Sequence, residues 1–211
     1  VSKELRWLEA DTPGRMIDVL PNDPHRSGSR KPRLFACACC RRVAHLFTDD
    51  GLLSELAIAE EYADRGATPD EQEAARETLI ARLRTPDDAL RAVLAAKAGY
   101  WRGAAGYAAS LAEARDPERH GGRREAAAQV GLLRCVLGNP FRPVSPGPWV
   151  TPAAVSVARD AYDRRDFSAL PVLADLLEEA GCPEQSVLDH CRQPGEHARG
   201  CWVVDLVLGK G

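Results

Sequence analysis

The chain has 211 residues, of which 45% are hydrophobic and 28% charged, with a formal net charge of -3. That apolar share supports a packed core and excludes wholesale disorder. The near-neutral charge and scarce aromatics argue against nucleic acid or an anionic membrane as partner. No apolar run nears the roughly 18–20 residues that cross a bilayer.

Helix formers dominate, and no stretch alternates as a half-buried strand does. The first helical signal is Leu5-Arg6-Trp7-Leu8. A second opens at Thr12-Pro13, where Thr caps and Pro takes the first helical position. Residues 21–32 are rich in Pro, Gly, Ser and basic side chains and read as a loop. A Cys-rich helix is expected over about 32–47 and another over about 52–64, stopped by Gly66. Thr68-Pro69-Asp70-Glu71 has capping-box spacing.

Thr85-Pro86 opens a long helix on which Leu90, Val93, Leu94, Trp101, Ala105, Ala108 and Leu111 fall near a 3.6-residue period. Gly99, Gly103 and Gly106 each cost about 1 kcal/mol there relative to Ala, so they mark a kink or a close approach of another helix. Residues 115–123 form a polar turn. A helix over about 124–137 then ends at Gly138-Asn139.

The run Asn139-Pro140-Phe141-Arg142-Pro143-Val144-Ser145-Pro146-Gly147-Pro148-Trp149 cannot be regular helix, because its prolines remove donors. Phe141 and Trp149 can pin it as an ordered crossover. Thr151-Pro152 starts the next helix, followed by helices over about 167–180, 183–191 and 198–208. The expected fold is a single all-α domain over 1–211, compact, with about nine or ten helices. Within it, an N-terminal lobe 1–137 and a C-terminal lobe 151–211 would be joined by the crossover 138–150.

The seven cysteines are an odd number in a chain whose start lacks a secretory layout, which points to free thiols or metal ligands in a reducing cytoplasm. In Cys37-Ala38-Cys39-Cys40, Cys37 and Cys40 share a helix face and could hold part of a zinc site. Arg41 and Arg42 could instead activate a thiol, and the plainest alternative is three buried small hydrophobes.

The second cluster is Cys182…His190-Cys191…His197…Cys201-Trp202. Cys182 and His190 are about 12 Å apart along a helix, too far for one ion. His197 and Cys201 share a face if the last helix starts one residue early, and His190 can reach them across Pro194-Gly195. A closed zinc site then needs a fourth ligand: Cys191, Cys37 or Cys40. The alternative is that the histidines bond the turn backbone and Cys201 is core.

No Gly-x-Gly-x-x-Gly, Walker, Gly-x-Ser-x-Gly or His-Glu-x-x-His pattern occurs. Asp175, Glu178 and Glu179 read as a solvated face; the basic stretch Arg26 to Arg33 and the pair Arg123-Arg124 could touch phosphates, and a third reading is nucleic-acid binding through Arg26 to Arg42.

Phe35-Ala36-Cys37-Ala38-Cys39-Cys40-Arg41-Arg42, Gly138-Asn139-Pro140-Phe141-Arg142-Pro143-Val144, Leu170-Pro171-Val172-Leu173-Ala174-Asp175, His190-Cys191-Arg192, and Pro194-Gly195 through Arg199-Gly200-Cys201-Trp202-Val203-Val204-Asp205 resemble an uncharacterised bacterial protein family, numerous in planctomycete-type genomes. That resemblance carries over no catalytic residue. The sequence thus leaves open whether the chain is an enzyme. Its leading expectation is a non-enzymatic helical interaction or scaffold protein with a structural zinc and a protein partner, without cleft chemistry. The alternative is a metal- or thiol-dependent enzyme using His190, His197 and Cys201.

Overall fold

The structure, a computed structural model, describes residues 1–20, 30–82, 87–116 and 120–210. Among them lie twelve α-helices, one 3-10 turn and no strand. The all-α class is as expected, and the helix count exceeds the nine or ten read from the sequence. The chain divides into two compact units, Val1–Leu133 and Arg134–Gly211.

The first unit begins with α1 (Lys3–Glu9) and α2 (Pro13–Ile17). Ser2 caps α1 by accepting from the Leu5 N–H at 3.1 Å, and Trp7 is buried beneath it. Helix α3 (Arg30–Arg42) packs against α4 (Gly51–Arg65), α6 (Asp88–Ala98) and α7 (Trp101–Arg115). With neighbours on several sides, its residues 33–40 are all buried, so it has no solvent stripe over that stretch. It ends at Arg42, and a 3-10 turn, Ala44–Leu46, replaces the expected last turn.

Helix α5 (Pro69–Arg82) opens as read from the sequence. The Thr68 N–H donates to Glu71, and the Glu71 N–H donates to Thr68 Oγ1. Residues 21–29, Thr85-Pro86 and 117–119, all assigned above to turns or a helix start, lie outside the described residues. The cap seen on α6 is Asp87, which accepts from the Leu90 N–H at 3.1 Å.

The single long helix expected after residue 85 is two helices. Gly99 adopts φ 83° and closes α6 in the left-handed conformation, which a side chain would strain. The close-approach reading of the other two glycines does not hold. A Cβ at Gly103 would meet nothing nearer than 3.8 Å, and one at Gly106 nothing within 4 Å. Gly106 therefore costs helix propensity without a packing return. Gly106→Ala is expected to stabilise the first unit by about 1 kcal/mol, read as a higher urea midpoint at unchanged slope.

Helix α8 (Gly121–Leu137) carries the chain from the first unit to the second. The Pro-rich crossover falls wholly within the second unit. Trp149 is buried, and Val144 and Val150 pack against the same core. Three helices follow: α9 (Pro152–Arg164), capped by Thr151, α10 (Leu170–Glu179) and α11 (Gln185–Arg192). The last is α12 (Trp202–Leu208). Leu170, Leu173, Ala174 and Leu177 of α10 meet Ala154, Ala158 and Tyr162 of α9 and Val203, Val204 and Val207 of α12 in one core.

Asp175, Glu178 and Glu179 are exposed, as expected of a solvated face, and two of them also make surface ion pairs. Asp175 and Glu178 both accept from Arg192 Nη2, at 2.7 and 2.5 Å, a surface link between α10 and α11. The same guanidinium holds the Glu178 carboxyl below its usual range.

Candidate metal centre

Cys135 sits two residues before the end of α8. The helix stops at Gly138, whose φ of 62° is left-handed. A Cβ at Gly138 would lie 3.0 Å from the Trp202 ring, so the glycine lets the end of α8 approach the start of α12. His190 comes from α11, a helix held by its apolar face, where Val187, Leu188 and Cys191 are buried.

The last helix begins at Trp202, not near residue 198. Residues 193–201 form a loop, turned by Pro194-Gly195 and by Gly200 at φ 92°. His197 therefore projects from that loop, and Cys201 is the N-cap of α12. The pair does not share a helix face, and tertiary packing brings them together instead.

The ligand atoms of Cys135, His190, His197 and Cys201 all lie within 4.8 Å of one another. His190 Nε2 is 3.2 Å from Cys201 Sγ. His197 Nδ1 is 3.6 Å from Cys135 Sγ and 4.0 Å from Cys201 Sγ. The two imidazoles meet edge to face, with centroids 4.9 Å apart. A tetrahedral zinc with bonds of about 2.3 Å to sulfur and 2.05 Å to nitrogen has S···N edges of about 3.6 Å and an S···S edge of about 3.8 Å. The observed S···N spacings of 3.2, 3.6 and 4.0 Å bracket the S···N value, and all four ligand atoms lie within 4.8 Å, so the groups can close on one ion with small side-chain adjustments.

Cys135, His190 and Cys201 are buried, and only His197 is half-exposed. Burial alone pushes the Cys201 thiol up. Hydrogen bonds to Cys135, His190 and His197 outweigh it and hold this thiol well below its ordinary value. Thiolate is the form that binds a metal.

The sequence singled out His190, His197 and Cys201, and the structure brings all three together. Their fourth companion is Cys135, not Cys191, Cys37 or Cys40. Cys191 is the neighbour of His190 on α11 and so points about 100° around the helix, into the core. Cys37 and Cys40 belong to α3 of the first unit, and the four-residue group is complete within the second. Cys135 carried no such signal in the sequence, being one buried thiol on an otherwise ordinary helix.

The first-unit thiols behave as buried hydrophobes. Burial raises Cys37 and Cys39 well above the ordinary thiol value and Cys40 to about 12, against the smaller opposing pull of nearby arginines. Arg41 and Arg42 do not activate them, because both are bonded to carboxylates of Glu60 and Glu125. Neutral thiols are favoured in the fold, whereas the unfolded chain ionises near 9. Their contribution to stability is thus full below pH 9 and lost as pH rises toward 12. The first unit is expected to lose stability over that window, and Cys40→Ala to flatten the loss, in unfolding midpoints measured from pH 8 to 11.

The basic stretch is largely tied up where it is described, Arg41 and Arg42 by the carboxylates just named. Arg30 pairs with Asp64, and Arg33 is buried against the Ala96 and Lys97 carbonyls at the end of α6. Residues 26–29 lie outside the described set. A cleft of about 940 Å³ between α4, α5 and α6 holds Leu52, Leu90 and Leu94 beside charged groups. Two of its carboxylates are already paired, Glu55 with Lys97 and Glu71 with Arg65, and none of the candidate ligands lines it. No helix among the described residues is long and apolar enough to cross a membrane.

The chain matches no protein-family model, no curated protein and no solved structure.

Proposed function

We propose that this chain is a non-enzymatic helical scaffold or interaction protein whose second unit is held together by a structural zinc ion. The observation that carries the reading is the convergence of two thiols and two imidazoles, from α8, α11, a loop and the start of α12, on one buried point. A tetrahedral set of two sulfurs and two nitrogens suits zinc, because thiolate excludes the hard cations and the geometry disfavours square-planar ions. Four protein donors leave no open position for a substrate, which argues for a structural rather than catalytic ion. No disulfide links any of the seven cysteines, in keeping with a reducing, cytoplasmic setting.

The test is elemental analysis of the purified chain with a chelation arm. One zinc per chain, lost to a strong chelator together with the cooperative unfolding of the second unit, is the expected result. Absence of any transition metal, after growth and purification with zinc supplied, would remove the zinc reading. Zinc that persists while small ligands such as imidazole or cyanide bind directly to it would favour the enzyme alternative, since direct binding needs an open position.

A further inference from the structure

Resting on the zinc reading, we infer that Gln193 is the positioning residue that holds His190 with Nε2 toward the ion. His190 faces the group through Nε2, 3.2 Å from Cys201 Sγ. Its other ring nitrogen, Nδ1, lies 3.1 Å from the side-chain amide of Gln193. An imidazole that gives its Nε2 lone pair to a metal carries its proton on Nδ1, and that N–H needs an acceptor.

Gln193 is placed to supply one. It stands three residues after His190, on the same side of α11, and is the C-cap of that helix. Its own N–H donates to the Asp189 carbonyl at 2.8 Å, which anchors the backbone from which the side chain reaches back. In the recorded orientation the amide nitrogen faces Nδ1. A half-turn about the last side-chain bond presents the amide oxygen instead, at little cost, because the two amide atoms are nearly isosteric. Glutamine thus serves both forms of His190: its nitrogen donates to a bare Nδ1, and its oxygen accepts from Nδ1–H when the ion is bound. A carboxylate serves the second form only, and an ammonium the first only.

Gln193 is itself exposed and contributes nothing to the apolar core. Its replacement should leave the packing of α11 intact, so an effect on metal affinity reports on the hydrogen bond. The flanking contact of His190 with Trp202, centroids 5.4 Å apart, limits ring tilt but cannot choose between the nitrogens.

The experiment is zinc competition against a fluorescent chelator on the full chain and on Gln193→Ala, Gln193→Glu and Gln193→Lys. Gln193→Ala is expected to weaken zinc about 10- to 100-fold, as loss of an outer partner of a metal-bound histidine does elsewhere. Gln193→Lys should be as weak or weaker, and Gln193→Glu should match or exceed the parent affinity. Nitrogen-15 spectra of the zinc-loaded parent should show the His190 ring proton on Nδ1. A purely structural role would instead lower the stability of the metal-free chain and treat Glu and Lys alike. If the parent binds zinc and Gln193→Ala binds it equally well, the positioning role is overturned and the zinc reading stands. If the parent binds no zinc, both fall.

Discussion

Cys201→Ser is expected to abolish stoichiometric zinc binding and to uncouple the second unit from cooperative unfolding. Cys201 supplies a fully buried sulfur that is close to both histidines, 3.2 Å from His190 Nε2 and 4.0 Å from His197 Nδ1. A serine hydroxyl is a poor zinc ligand at neutral pH, and three remaining donors bind far more weakly. Since an ion that binds only the folded chain stabilises it by mass action, its loss costs about 4 kcal/mol at a free zinc level a thousandfold above Kd. That is a large part of the roughly 5–15 kcal/mol available to a whole domain. Calorimetry with and without chelator should show the parent falling to the stability of the variant, while the variant ignores the chelator. Cys191→Ala is the control. It is buried in the same core but outside the group, so it should lose packing energy and keep its zinc. Zinc retained at one per chain in Cys201→Ser would sink the assignment.

The second large effect concerns the first unit. Phe35→Ala is expected to cost about 3–5 kcal/mol. Phe35 is fully buried on α3 and meets Trp101 of α7 edge to face, with ring centroids 5.8 Å apart. Helix α3 is packed by α4, α6 and α7, which limits how far the cavity left behind can collapse. The aromatic pair should add about 0.5–1.5 kcal/mol beyond burial, measurable as the coupling in a double-mutant cycle of Phe35→Leu with Trp101→Leu. A urea midpoint lowered by less than about 1 kcal/mol equivalent would mean that α3 is not the packed centre of this unit.

Much of the helical plan was legible in the residues. Ser, Thr and Pro mark where helices begin, Gly66, Gly138 and Gly181 where they end, and the Thr68–Glu71 box is made as its spacing implies. These signals act within four residues of chain, so no tertiary information is needed to read them. The misreadings lie where two local rules compete. Gly99 could be a costly mid-helix residue or a left-handed stop, and the periodicity of Leu90 through Leu111 runs through it either way. What separates the readings is the direction in which α7 leaves, which the packing of α6 and α7 on α3 decides.

The candidate centre divides along the same line. Residue type and nearness in sequence pick out His190, His197 and Cys201, because a histidine-rich turn before an apolar helix is visible in one window. Cys135 is on α8, with two complete helices between it and His190. Nothing in its own neighbourhood marks it as anything but a buried thiol, the reading that proved correct for Cys37, Cys39 and Cys40. The sequence by itself determined an all-α chain and a C-terminal turn bearing two histidines and a cysteine, since composition and short-range capping carry that much. Tertiary structure alone decided which of seven buried sulfurs completes the group, because ligand sets are chosen by distance in space and α9 and α10 must fold back before α8 can present Cys135 to the turn.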